Sequence, residues 1–171
     1  MSPAPQQNRG SYSGGGNRPN NPQSLSIDVS DIKFGADISP ELFANIAQKK
    51  AKAIAEEGGG RKNKSSQLRK FYDELNMWHD KVFRQEIDNK ATAGQEANRQ
   101  ALREERYKEL APFIKMLCAK VTYAKGREHV SVDFEKLFTH VIRAINSPDT
   151  LKQAKLFIEA FMGFYKAEEK K

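Results

Sequence analysis

From residue 39 onward, apolar residues recur at three- and four-residue spacing, the period of helices that bury one side. The first of these helices starts at Ser39, with Pro40 in the first helical position and Glu41 at the positive end of the dipole. Leu42, Phe43, Ile46, Ala53 and Ile54 form its apolar side, and Gly58, Gly59 and Gly60 end it. A second helix follows Ser65 or Ser66, either of which can cap it. Leu68, Phe71, Tyr72, Leu75, Trp78, His79, Val82 and Phe83 make its buried stripe. Residues 85–95 read as a polar connection ending at Gly94. Residues 96–110 favour helix but are weakly amphipathic, and Pro112 either kinks one long helix or starts a fresh one.

The next stretch organises the chain. Phe113, Ile114, Leu117, Cys118, Val121 and Ala124 fall on one helix face, and Gly126 is placed to end the helix in the left-handed conformation. Met116, Lys120, Tyr123 and Arg127 line one edge of that face. After Ser131, the residues Phe134, Leu137, Phe138, Val141, Ile142 and Ile145 mark another helix. Ser147, Pro148 and Asp149 then open the last one, striped by Leu151, Ala154, Phe157, Ile158, Phe161, Met162, Phe164 and Tyr165. That stripe is wider than one neighbour needs. It fits either a deeply buried terminal helix or a surface for another subunit or another copy of the chain. No segment alternates as a strand would. The expected fold is all-α: a compact bundle of five or six helices over residues 39–171, with a disordered N-terminal tail.

That tail, residues 1–24, is rich in Pro, Gln, Asn, Gly and Ser and has almost nothing to bury. Residues 25–38 carry Leu25, Ile27, Val29, Ile32, Phe34 and Ile38 among acids and serines. They read as an extended arm that lays apolar side chains on its own bundle or on a neighbour.

Charge changes the picture through its location. The net charge is +7, and residues 61–127 hold sixteen Lys and Arg against nine Asp and Glu, while the sections on either side balance. A localised basic excess attracts polyanions and makes their binding salt-sensitive. The single cysteine, Cys118, has no internal disulfide partner, which suits a reducing compartment. No apolar run follows Met1, and no window reaches the length of a membrane span, so the expected location is cytoplasmic, away from membranes.

Within the basic section, Tyr123 stands between the cations Lys120 and Arg127. An aromatic ring flanked by fixed cations suits nucleic acid, with phosphate met by charge and a base or ribose by the ring. The same spacing also fits a tyrosine that closes the core between solvated cations. Arg69 and Lys70 occupy the first turn of the second helix, where cations oppose the dipole. Together with Lys62 and Lys64 they could surround a phosphate held by free N–H groups. Alternatively they form pairs with Asp73 and Glu74 at i,i+4 spacing. Catalytic chemistry finds no foothold. His79, His129 and His140 show no zinc spacing, and the glycine run before Arg61 has the wrong spacing for a phosphate loop. No catalytic residue, metal or cofactor is expected.

Ser65-Ser66-Gln67-Leu68-Arg69-Lys70-Phe71, followed by Lys120-Val121-Thr122-Tyr123-Ala124-Lys125-Gly126-Arg127, resembles the small subunit of type III-A CRISPR effector (Csm) complexes. The Phe-rich C-terminal helix pair, Phe134–Tyr165, continues the likeness, which covers about residues 64–167. The tail and the charged stretch near 86–105 look like additions to the family's compact form. The resemblance implies a helical bundle without catalytic activity. Several copies would line the guide RNA and its paired target RNA, touching the large subunit and the repeated backbone subunit. By position it implies target-RNA contact through Lys120, Tyr123 and Arg127, then Arg69 and Lys70; Lys62, Lys64 and Lys125 join them on charge. The rival reading is a helical adaptor whose basic patch binds an acidic protein and whose Phe157–Tyr165 stripe is the interface.

Overall fold

The helical part opens at Ser39 in a computed structural model that describes residues 26–58, 60–84 and 93–169. Ser39 accepts a hydrogen bond from the Glu41 N–H (3.3 Å), and Pro40 takes the first position of a 3-10 turn, Pro40–Phe43. Ala44 (φ −117°, ψ −96°) leaves the helical region, and the chain restarts as α1, Asn45–Gly58. The expected first helix is therefore two pieces. Ala47 and Ala51 are buried on it, while Ala53 is exposed. Then follow α2 (Ser65–Phe83), α3 (Ala93–Lys115), α4 (Leu117–Gly126), α5 (Val132–Ala144) and α6 (Pro148–Glu168). The fold is an all-α bundle, with six α-helices and no strand among the described residues. The tail (residues 1–24) and most of the polar connection (85–92) lie outside those residues.

The wide stripe of α6 is consumed inside the molecule. Leu151, Ala154, Phe157, Ile158, Phe161 and Tyr165 are buried, chiefly by α1 and α2. Phe34 meets Phe157 edge-on at 6.3 Å, and Phe161 packs between Phe134 and Tyr165. Several neighbours share a stripe that one would leave exposed. Its start is specified locally, because Ser147 and Thr150 form a capping box ahead of Pro148.

Residues 26–38 lie along the bundle with Ile27 and Ile32 buried. An extended segment without a strand neighbour must satisfy its backbone through side chains. Lys136 donates to the Ile27 carbonyl (2.7 Å), and His140 Nε2 lies 2.9 Å from the Ile32 carbonyl. Gln153 makes both backbone bonds of Gly35, and Lys50 pairs with Asp31 at 2.8 Å.

Pro112 lies inside α3, which continues through it to Lys115. The interruption comes at Met116, so the stretch expected as one helix end is divided between α3 and α4. Gly126 does not take a left-handed conformation. The residue that does is Glu128 (φ 60°). The His129 N–H bonds the Ala124 carbonyl and the Glu128 N–H bonds the Lys125 carbonyl, the Schellman pattern with glutamate where glycine is usual. Phe113, placed on the buried face by periodicity, is half exposed.

Lys115 closes the far end of α5. Its ammonium donates to the carbonyls of Ile142 (2.8 Å), Arg143 (3.0 Å) and Ile145 (2.6 Å). Burial pulls its pKa below the ordinary lysine value. These bonds complement the negative end of the α5 dipole. Lys115→Met keeps the stem and removes the charge-assisted bonds, and it is expected to lower stability by about 2–3 kcal/mol in urea unfolding. A loss under about 0.5 kcal/mol would mean that water replaces the ammonium freely.

Candidate nucleic-acid interface

The loop between α1 and α2 reads as flexible in sequence, yet Asn63 pins it. Asn63 is fully buried in the left-handed region (φ 60°), which asparagine tolerates better than most residues. Its Nδ2 donates to the Ile54 carbonyl (3.2 Å) and Ser131 Oγ (2.9 Å), and its Oδ1 accepts from the Ser131 N–H (2.7 Å). Its own N–H bonds the His129 carbonyl, and its carbonyl accepts from the Tyr165 hydroxyl. One side chain thus ties the end of α1 to the start of α5. On one side of it Lys62 pairs with Glu128 just past the end of α4, and on the other Lys64 is exposed.

The same tie sets α2 and α4 antiparallel. Asn63 meets His129 at one end, Lys62 pairs with Glu128 at 3.3 Å, and farther along Lys120 pairs with Glu74 at 2.5 Å. Lys70, exposed, lies one turn before Glu74 on the same face and so beside the Tyr123 level of α4. Tyr123 is 66% exposed, which excludes a role in closing the core. Arg127 donates to its hydroxyl at 3.0 Å, and the guanidinium lies 5.8 Å from the ring centroid. Lys62, Lys64, Lys70, Lys120, Tyr123 and Arg127 therefore share one seam, although they come from segments far apart in sequence. The pairs with Glu74 and Glu128 are exposed on the cation side. Such pairs contribute about 0–1 kcal/mol, too little to hold these lysines from a phosphate.

Arg69 and Lys125 stand apart from this seam. Arg69 pairs with Asp73 (3.6 Å) and borders a groove toward α6 with Tyr72, Met162 and Lys166. Lys125, half-buried, is seven residues from Cys118, two turns along the α4 face whose Thr122 bonds Glu135 of α5. The Lys70–Glu74 pair expected from spacing is replaced by Lys120–Glu74.

The expected phosphate site at the start of α2 is also corrected. Lys64, not a serine, is the N-cap, and it makes no side-chain cap. The Ser65 N–H is already bonded to the Glu169 carboxylate (3.0 Å), which Lys166 also holds (2.6 Å). Lys166, then the Ser65 backbone and hydroxyl, bring the Glu169 carboxyl down to about 2. A folded pKa below the ordinary 4.5 adds stability that is complete above that value and is lost as pH falls toward 2. Glu169→Gln is expected to be less stable than the parent at pH 7, with the gap closing steadily below pH ~4.5. A gap unchanged between neutral and acid pH would show that the carboxylate does not cap α2.

Sequence reading missed Asn63, Glu128 and Glu169, and it paired Glu74 with Lys70 instead of Lys120. Only Asn63 carried a local signal, an asparagine just after a glycine run where a left-handed turn is common. Two of the three histidines have structural work. His79 stacks on Phe83 (4.5 Å) beside Asp80, and His140 holds the arm at Ile32.

The chain matches the family model Csm2 Type III-A over residues 41–171, from the first helical turn onward. The match takes in α1, which the motif resemblance had not reached. No curated protein and no solved structure matches the chain. Among the described residues, no helix is long and apolar enough to cross a membrane. With its all-helical bundle and a family match that takes in all six α-helices of the described residues, the chain belongs to the Csm2 Type III-A family, the small subunit of type III-A CRISPR Csm complexes.

Proposed function

We propose that this chain is a non-catalytic, RNA-binding subunit that lines the paired guide and target RNA within the effector complex. It touches the target backbone through Lys62, Lys64, Lys70, Lys120, Tyr123 and Arg127, and it serves antiviral defence in the cytoplasm. The observation that carries this reading is the α2–α4 seam, where three separate basic segments converge around an exposed, arginine-braced tyrosine. Lysines and Arg127 meet phosphates, and the Tyr123 ring stacks or its hydroxyl bonds a ribose. Arg69 and Lys125 contribute field rather than contact. Sequence is read by the guide, so this surface recognises backbone and shape. Further copies of the chain and the backbone and large subunits are its protein neighbours.

The adaptor reading loses its interface, because Phe157, Phe161 and Tyr165 are buried in the chain's own core. Affinity purification followed by ultraviolet cross-linking tests the proposal. The expected result is a complex carrying short RNAs with a constant repeat-derived end, cross-linked at the peptide containing Tyr123. Recovery of acidic proteins without RNA would overturn it.

A further inference from the structure

Phe113, Met116 and Tyr123 are the large apolar side chains most exposed on the α3–α4 edge, at 50%, 55% and 66%. They fall in one stripe with Lys120 and Arg127, in the order Phe113, Met116, Lys120, Tyr123, Arg127. Phe113 stacks on Trp78 with ring centroids 5.5 Å apart and planes 19° from parallel. Trp78 lies one turn beyond Glu74 on α2, and Met116, at the junction of α3 and α4, one turn before Lys120, so the stack continues the seam already described. Lys81 Nζ lies 4.6 Å over the Trp78 ring, with the lysine otherwise in solvent. The indole N–H of Trp78 is buried without a partner, a cost that a phenylalanine in its place would avoid. The site therefore keeps a large flat ring beneath a half-exposed one, with a cation at its edge. Ten residues separate Phe113 from Tyr123, about 15 Å along the helical path, a span of a few nucleotides of extended strand.

We propose that the RNA surface continues past Lys120 onto a second stacking platform, Phe113 on Trp78, which takes an unpaired base of the bound strand while Lys81 meets the adjoining phosphate. This rests on the reading of the Lys120–Arg127 edge as an RNA contact and extends it. A protein partner is the less favoured occupant, since Lys120 separates Phe113 and Met116 from Tyr123 and Lys81 lies over the Trp78 ring, so cations border the apolar side chains.

Trp78 is the chain's one tryptophan, so its emission reports this platform alone. The full-length protein is titrated with a short single-stranded oligouridylate, with binding followed by oligonucleotide anisotropy and Trp78 emission together. Saturable quenching at the anisotropy midpoint is expected. Phe113→Ala should weaken binding about tenfold and abolish the quenching without changing the salt slope, while Phe113→Tyr should bind as the parent does. Lys81→Gln should reduce the salt slope by about one. Oligouridylate binding with constant Trp78 emission and an unaffected Phe113→Ala variant would overturn the platform and leave the Lys120–Arg127 reading intact. Absence of any binding by anisotropy would overturn both. Trp78 emission that ignores RNA but shifts when the other complex subunits are added would make the platform a protein interface.

Discussion

Asn63→Ala is expected to cost the fold about 4 kcal/mol in urea unfolding. The substitution deletes three buried hydrogen bonds and leaves the Ser131 N–H without a partner, while the Ile54 carbonyl, inside α1, keeps only its helical bond. Each orphaned buried group costs about 1–3 kcal/mol. Alanine in the left-handed region adds about 1 kcal/mol. Asn63→Gly separates the two effects, because it relieves the backbone and still loses the bonds; it should recover about 1 kcal/mol and no more. The Tyr165 hydroxyl bonds the Asn63 carbonyl and survives either change. RNA affinity should fall modestly in the glycine variant, as Lys62 and Lys64 lose their fixed position while Lys120, Tyr123 and Arg127 keep theirs. A loss below about 1 kcal/mol in the alanine variant would mean that water replaces the asparagine and that the loop is not pinned.

The second large effect is on binding. Lys120→Glu combined with Arg127→Glu should weaken target-RNA affinity by about a hundredfold and flatten the salt dependence. Two charge-assisted contacts at about 1.5 kcal/mol each account for that loss. Removing two phosphate neutralisations lowers the salt slope by about two. Both side chains are exposed, so circular dichroism should report unchanged helicity. An unchanged salt slope would exclude this surface as the RNA contact. Lys120→Gln alone is the control for the pair with Glu74. It frees that carboxylate without reversing charge, and should show about half the change in slope.

Sequence and structure agree best where the cause lies within four residues. The starts at Ser39, Ser131 and Ser147 are readable because each cap bonds an N–H two or three positions on. The stripes of α5 and α6 follow from period alone. The Lys120–Tyr123–Arg127 edge was legible for the same reason, as its members share one face of one helix. Errors came where a local signal had two physical outcomes. Glycine at 126 is permissive without being compelled, and the left-handed position fell two residues later, on Glu128. Phe113 fits a buried period, but its ring is covered on one side only, by Trp78.

The sequence by itself determined an all-helical chain, the placement of most of its helices, the concentration of positive charge between residues 61 and 127, and the motifs that point to the Csm2 family. Tertiary structure decided which of those charges meet. The antiparallel run of α2 beside α4, the Asn63 bonds to Ser131 across 68 residues and the Glu169 cap on α2 across 104 have no counterpart in local pattern. Helical period and capping act over one turn of backbone. Which faces finally touch is set by how six amphipathic stripes bury one another at once, and that arrangement gathers Lys62, Lys70 and Lys120 into one surface and turns Arg69 and Lys125 away from it.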